Sequence, residues 1–359
     1  MHRIPQRSTL VHQLIEILRD GIRDGIWGEN LPGELELSQK FQVSRMTLRA
    51  ALDTLTREGW LSSSQGRRRQ VLKKKTDNRS AQSNRRITLL TAVPLLGMRS
   101  LHMLQVDGLR EQLAQAGFEL EVQVSAACFS AKPEATLQRL RHEKPAAAWV
   151  LMSSSPPLQR WFMEQRLPCV LIGARHPGVK LPSVGTDYHA LGKHAAGQFL
   201  RRRHLQLGVL IPTEEAAGHT NTLAGFRAAC EQVPGAEMRV IRHDATPASI
   251  RHCLAKMLKS SPVTGLLVAI PQFVLTTLSF LISLGVRVPG DISIISRDGD
   301  SILDFMVPPP SHYMIDAPLF VQKVSRTVLV VARGGSGSSA EKLLLPDFVA
   351  GDTLGYLST

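Results

Sequence analysis

Ser44, Arg45, Thr47 and Arg49 stand within six residues, in the run Ser44-Arg45-Met46-Thr47-Leu48-Arg49. A serine is a good helix N-cap, and residues four apart lie on one helix face, so the turn it opens presents two guanidinium groups and a hydroxyl together while Leu48 points inward. Arginine binds the O6 and N7 of guanine bidentately or clamps phosphate, and helix N-terminal N–H groups also favour phosphate. This is the chemistry of a helix laid in the major groove of double-stranded DNA. A second basic group follows in Arg67-Arg68-Arg69 and Lys73-Lys74-Lys75, beside a turn at Gly66. Its expected role is phosphate contact, which carries affinity without sequence preference. Taken alone, either group would read as a solvated basic face.

Other reactive residue types form no constellation. His189 and His194 are five apart, which is not the i,i+4 spacing of two metal ligands on one helix face, and no His/Cys cluster supplies a third. Cys128, Cys169, Cys230 and Cys253 stand far apart among apolar neighbours and read as reduced core thiols. No GxSxG, Walker A or dinucleotide glycine fingerprint occurs, and the glycine-rich stretch at 334–339 lacks the preceding strand of a phosphate loop. The expectation is therefore no catalytic residue, no metal and no cofactor.

The elements that must hold the basic residues are legible from periodicity. Leu10, Val11, Leu14, Ile15, Leu18 and Ile22 predict a helix over 8–25. Leu31-Pro32-Gly33 is a turn, Leu35, Leu37 and Phe41 fit one side of a short second helix, and Ser44 opens a third that ends at Gly59. Trp60-Leu61 and Gln70-Val71-Leu72 then predict a two-stranded hairpin. Residues 73–86 have no apolar periodicity and read as a basic linker. Beyond it, apolar runs such as Ile87–Val93, Ala147–Met152, Leu207–Ile211 and Ile292–Ile295 alternate with helix-like segments, including 101–116, 188–203, 222–232 and 317–332. That alternation implies βαβ crossovers and largely parallel sheets covered by helices on both faces. The expected domains are 1–72, a linker at 73–86 and 87–359, the last large enough for two lobes.

Charge agrees with this division. The 359 residues carry 43 Lys and Arg against 30 Asp and Glu, a net charge of +13. Residues 1–86 alone hold seventeen basic and nine acidic residues, so most of the excess sits at one end, as in a module that meets a polyanion. The start has no apolar stretch of signal-peptide type, and no later run reaches the ~18 apolar residues of a membrane span. The expected location is the cytoplasm, with no membrane partner.

Two resemblances sharpen the reading. Leu31-Pro32-Gly33-Glu34-Leu35-Glu36-Leu37-Ser38 followed by Val43-Ser44-Arg45-Met46-Thr47-Leu48-Arg49-Ala50-Ala51-Leu52 and ending in Glu58-Gly59 resembles the GntR-type winged helix-turn-helix. The resemblance implies DNA contact by Ser44, Arg45, Thr47 and Arg49 and by a wing carrying Gly66, Arg67, Arg68 and Arg69. Leu35 stands where that family often has a base-reading arginine, and Arg68-Arg69 replace its usual Gly-Thr. The ordered set Ser183-Val184-Gly185-Thr186-Asp187, Leu207-Gly208-Val209-Leu210, Gly225-Phe226 and Leu284 to Ile295 with Asp298 resembles the LacI/GalR-type effector domain, whose fold is that of periplasmic sugar-binding proteins. That implies two α/β lobes joined by three chain crossings, a homodimer, and an effector cleft at Thr222, Pro271, Gln272 and Asp298. Thr222 and Ile270-Pro271 stand where sugar-responsive relatives have an arginine and an Asn-Asp pair, so the expected effector is not an ordinary hexose.

The sequence thus predicts an α/β protein, an N-terminal winged helix-turn-helix plus a bilobal periplasmic-binding-protein-like domain, acting as a sequence-specific transcriptional regulator with repression the expected direction. A solute-binding protein with an incidental basic extension is the alternative. A sugar-processing enzyme on a similar scaffold is a third reading, disfavoured by the lack of a catalytic set.

Overall fold

The computed structural model describes residues 10–23, 26–27, 30–62, 69–72, 85–214, 216–260, 262–335 and 340–357. Gly66, Arg67, Arg68, Lys73, Lys74 and Lys75 lie outside them. The chain divides into two compact units, Met1–Ala81 and Gln82–Thr359.

The first unit contains three helices, α1 (Leu10–Arg23), α2 (Glu34–Lys40) and α3 (Arg45–Arg57). Leu14 and Leu18 of α1, Leu37 of α2 and Leu48, Ala51, Leu52 and Leu55 of α3 are buried in one core with Leu31 and Leu61. Each buried leucine contributes about 1.5–3 kcal/mol, which is what holds three short helices that would be marginal alone. Between α2 and α3 the chain reverses at Gln42, whose φ of 52° is left-handed, and α3 ends on Gly59 at φ 77°. The hairpin forms as an antiparallel bridge of Leu61 with Val71, and a second bridge joins Asn30 to Gln70.

The second unit has two sheets. The first contains β1 (Arg86–Thr91), β2 (Glu119–Val124), β3 (Ala148–Met152), β4 (Cys169–Ile172), β5 (Ser183–Thr186) and β11 (Glu341–Leu344), in the order β11-β5-β4-β3-β1-β2. The second contains β6 (Gln206–Pro212), β7 (Glu237–His243), β8 (Gly265–Val268), β9 (Ser293–Ser296), β10 (Ser311–Met314) and β12 (Asp347–Val349), in the order β12-β10-β9-β8-β6-β7. All pairs are parallel except β10 with β12. Consecutive residues of the central strands feed opposite cores. Val150 and Met152 pack with α4 (Ser100–Gln115) and α11 (Ala317–Ala332), whereas Trp149 and Leu151 pack with α5 (Glu134–Glu143) and α6 (Pro156–Glu164). Burial on both faces is why these strands are continuous apolar runs without alternation.

In the second lobe α7 (Tyr188–Leu200) and α8 (Ala217–Cys230) cover one face, and α9 (Pro247–Ser260) and α10 (Pro271–Ser283) the other. The pair α7 and α8 packs with backbones nearly in contact, since a Cβ on Gly225 would lie 1.9 Å from the His189 carbonyl oxygen and one on Gly192 2.3 Å from that of Thr222. The chain passes between lobes after β5, after β10 and between β11 and β12. Cys128, Cys169 and Cys230 are buried thiols, and burial pushes the Cys169 thiol up to about 12. Among the described residues no helix is long and apolar enough to cross a membrane.

Candidate functional site

In the first unit the Ser44 Oγ accepts the Thr47 N–H at 3.1 Å and lies 2.8 Å from the Thr47 hydroxyl, so cap and first turn form one hydrogen-bonded group. Arg49 is exposed at 60% of its side chain and donates its Nε–H to Glu34 at 2.8 Å, which raises its already high pKa. Glu34 comes from the N-terminal turn of α2, so the helix-turn-helix orients an arginine through its own acidic residue. Arg45, Thr47 and Arg49 share one exposed end of α3. Leu35, which replaces an arginine by resemblance, is also exposed.

Arg69, grouped by sequence with the phosphate-contact residues, has partners within its own domain. It donates to Asp53 at 2.8 Å and to the Thr56 hydroxyl at 3.0 Å, and stands 3.7 Å from Glu34. Its guanidinium ties the hairpin back to α3, so its charge is already engaged within the domain. Sequence spacing groups it with Arg67 and Arg68, which lie outside the described residues.

In the second unit the strands of both sheets run with their C-terminal ends toward one cleft of about 470 Å³. Its walls include Ser153, Ser154 and Ser155 beyond β3, Gly173 beyond β4, Ile270 beyond β8 and Arg297, Asp298 and Gly299 beyond β9. Ligands of open α/β sheets bind at this edge, because loops there converge while the helices cover both faces. Gly185 lets two walls approach, as a Cβ there would meet the Gly173 carbonyl oxygen at 2.8 Å.

The centre of the cleft is ionic. Asp298, 8% exposed, accepts from the Arg297 Nε–H at 3.1 Å and from its Nη2–H at 2.8 Å, and from Arg99 of the other lobe at 2.7 Å. Arg297 is itself 3% exposed, lies 4.5 Å from the Tyr188 ring centroid and reaches the His219 Nδ1 at 2.8 Å. Arg99 reaches the His102 Nε2 at 3.1 Å. The chain His102–Arg99–Asp298–Arg297–His219 thus bridges the lobes. Burial opposes ionisation of Asp298, but the two guanidiniums outweigh it and hold the carboxyl well below the usual range. Burial, then the adjacent arginine, pushes both His102 and His219 down to about 4, so near neutrality each is an uncharged acceptor for its arginine.

Of the four effector residues expected from sequence, Asp298 lines the cleft and the other three do not. Thr222 is fully buried in the α7 and α8 packing, where its hydroxyl donates to the Gly218 carbonyl at 2.7 Å. It lies one turn beyond Gly218 and His219, which do line the cleft, and a turn is ~5.4 Å. Pro271 is buried in the first turn of α10 and Gln272 is exposed, while the preceding Ile270 takes the cleft wall. Arg99, His102, His219 and Arg297 were not anticipated. The one available signal was Arg297-Asp298 directly after the apolar Ser293–Ser296 strand, since charged residues at a strand's C-terminal end in an α/β fold face the site. Among the described residues no group of three His, Cys, Asp or Glu side chains could hold a metal ion.

Residues 10–71 match the family described as bacterial regulatory proteins, gntR family, and residues 196–354 match the periplasmic binding protein-like domain. The chain is a transcription regulator that couples a gntR-type DNA-binding domain to a periplasmic-binding-protein-like, ligand-binding domain. It is 24% identical over 284 residues to the arabinose metabolism transcriptional repressor of Geobacillus stearothermophilus, covering 75% of this chain and 76% of that protein. Among solved structures it resembles the transcription regulator CcpA of Lactococcus lactis at a TM-score of 0.66 and 15% identity, covering 75% of this chain and 98% of that one. A LacI family regulator from Enterococcus faecium with bound ribose gives 0.63 and 16%, covering 76% and 100%.

Proposed function

We propose that the chain represses transcription as a homodimer on a double-stranded DNA operator in the cytoplasm, and that a small ligand in the interlobe cleft changes its operator affinity. The observation that carries this reading is the Arg99–Asp298 bond, an ionic contact joining the two lobes across the cleft. A ligand that displaces it changes the angle between lobes, and through them the separation of two DNA-binding heads. By linkage, a ligand that loosens DNA binding binds more weakly to the DNA complex by the same factor. No catalytic role, metal or cofactor is needed.

An ordinary hexose is a poor fit. Asp298 already holds three charge-assisted hydrogen bonds, each about twice as strong as one from a neutral hydroxyl. The alternative of a solute-binding protein with an incidental basic extension leaves unexplained why Ser44 caps α3 and Glu34 orients Arg49.

The test is footprinting of the full chain on genomic fragments, followed by operator titration of Arg49→Ala. If Arg49 contacts a base, affinity falls by about 1–3 kcal/mol. Unchanged affinity with an intact fold removes Arg49 from the interface, and failure to protect any fragment overturns the regulator reading.

A further inference from the structure

The cleft continues into a second cavity of about 860 Å³, the two sharing His176, Glu214, Ala216, Ala217 and His219 as walls. Its charge is one-sided. Arg160, Arg175, Lys180 and Arg242 line it against Glu214 and Glu341, and Arg175 is tied to Glu341 at 3.0 Å. Arg160, Lys180 and Arg242 therefore face Glu214 with two positive charges in excess, and all three are exposed. The inner cleft adds one more, since Arg99 and Arg297 stand against Asp298 alone.

A second feature of the same wall favours an anion. The 14-residue helix α8 begins there, its N-cap is Ala216, and no side chain caps its first N–H groups. The positive end of the helix dipole thus opens on the basic cavity without a built-in carboxylate or hydroxyl. The inner cleft in turn holds polar atoms that lack partners. Gln105, 5% exposed, lines it with its Oε1 unbonded, and the buried Ser155 Oγ is likewise unbonded. Leaving a buried acceptor unsatisfied is costly, so a ligand hydroxyl that reaches it gains a hydrogen bond no protein group supplies.

We infer that the ligand is a polyhydroxylated anion, a phosphorylated or carboxylated polyol of sugar size, whose hydroxyls meet Gln105 and Ser155 and whose anionic group sits among Arg160, Lys180 and Arg242 at the start of α8. This rests on the ligand-responsive reading of the cleft and names the class of its ligand. A neutral sugar satisfies the inner half only, and inorganic phosphate the outer half only. Three exposed cations and a helix end do not select a phosphate over a carboxylate, so both are tested.

Calorimetry on the full chain with hexose and pentose phosphates, sugar acids such as gluconate, the parent neutral sugars and inorganic phosphate makes the test. At least one polyol anion should bind tenfold or more tighter than both its neutral parent and inorganic phosphate. Arg160→Glu combined with Arg242→Glu should weaken that anion about a hundredfold and leave ligand-free operator binding and melting temperature unchanged, the charges being on the surface. Gln105→Leu should weaken it about tenfold in low and high salt alike. Neutral sugars binding as tightly as their phosphates and acids would overturn the inference. So would no binding of any of the anions up to about 10 mM, or anion binding indifferent to the double charge reversal. Loss of operator binding by the unmodified, ligand-free chain is a different failure, since it strikes the regulator reading itself.

Discussion

Replacing Asp298 by Asn removes the one negative charge at the centre of the cleft. Arg297, 3% exposed, would then keep its charge with its carboxylate partner gone, while the new amide turns an N–H₂ toward a guanidinium that can only donate. Removing one partner of a buried ion pair costs about 3–5 kcal/mol, because the other charge is left uncompensated. The Arg99 contribution is smaller, since its side chain is 27% exposed and solvent screens it. Arg99→Ala leaves Asp298 held by both nitrogens of Arg297 and should cost about 1 kcal/mol, chiefly by freeing the lobes. The expected result is therefore an asymmetry: Asp298→Asn destabilises the second unit by roughly 3 kcal/mol and Arg99→Ala by about a third of that. Urea denaturation of the full chain, followed by far-ultraviolet circular dichroism and tryptophan fluorescence, measures both. If Asp298→Asn costs less than about 1 kcal/mol, or Arg99→Ala costs as much as Asp298→Asn, the ionic centre is not organised as described.

The cleft should also make stability fall on the acid side. His102 and His219 have folded values near 4, below the unfolded value of ~6.5, so their contribution is full above pH 6.5 and is lost as pH falls toward 4, by at most about 3 kcal/mol each. Asp298, also depressed, contributes above its unfolded value of ~3.9 and loses that contribution only at lower pH, so a titration flat between pH 6.5 and 4 would contradict the histidine assignment. Arg69→Ala should leave the slope of log K for DNA against log salt concentration unchanged while lowering stability of the first unit by about 0.5–1 kcal/mol; a slope reduced by ~0.9 would show that it contacts phosphate after all. Gly225→Ala should destabilise the second lobe by about 3 kcal/mol or more, because its Cβ would meet backbone at 1.9 Å, and calorimetric melting like that of the unaltered chain would mean that α7 and α8 are less tightly joined.

Local signals carried much of the fold. The cap at Ser44, the stop at Gly59 and the i,i+4 pair Arg45 and Arg49 depend on neighbours within a turn, and α3 runs where they place it. The apolar runs that became β1, β3, β4, β6, β8 and β9 are continuous because both faces of a parallel sheet are covered, a property each strand shows by itself. Elements without such a pattern escaped. Strand β10 is Ser-His-Tyr-Met, and Ser311 is buried because its N–H donates to Thr353 at 3.0 Å and its hydroxyl to the Gly351 carbonyl at 3.1 Å, partners some forty residues away. Helix α6 is short, and its one local signal is the Pro156-Pro157 pair at its start.

The site divides along the same line. Sequence by itself determined the two kinds of domain and the residues offered by the recognition helix, because helical phase, strand runs and caps are set by short-range sterics and hydrogen bonding; Asp298 as a cleft residue came through the family resemblance. Only the tertiary structure decided that Arg99 meets Asp298 from 199 positions away, that Arg69 is spent inside its own domain, and that Thr222 faces a neighbouring helix a turn below the cleft. Ion pairing and burial depend on which surfaces the packed lobes bring together. Spacing along the chain holds no record of those distances.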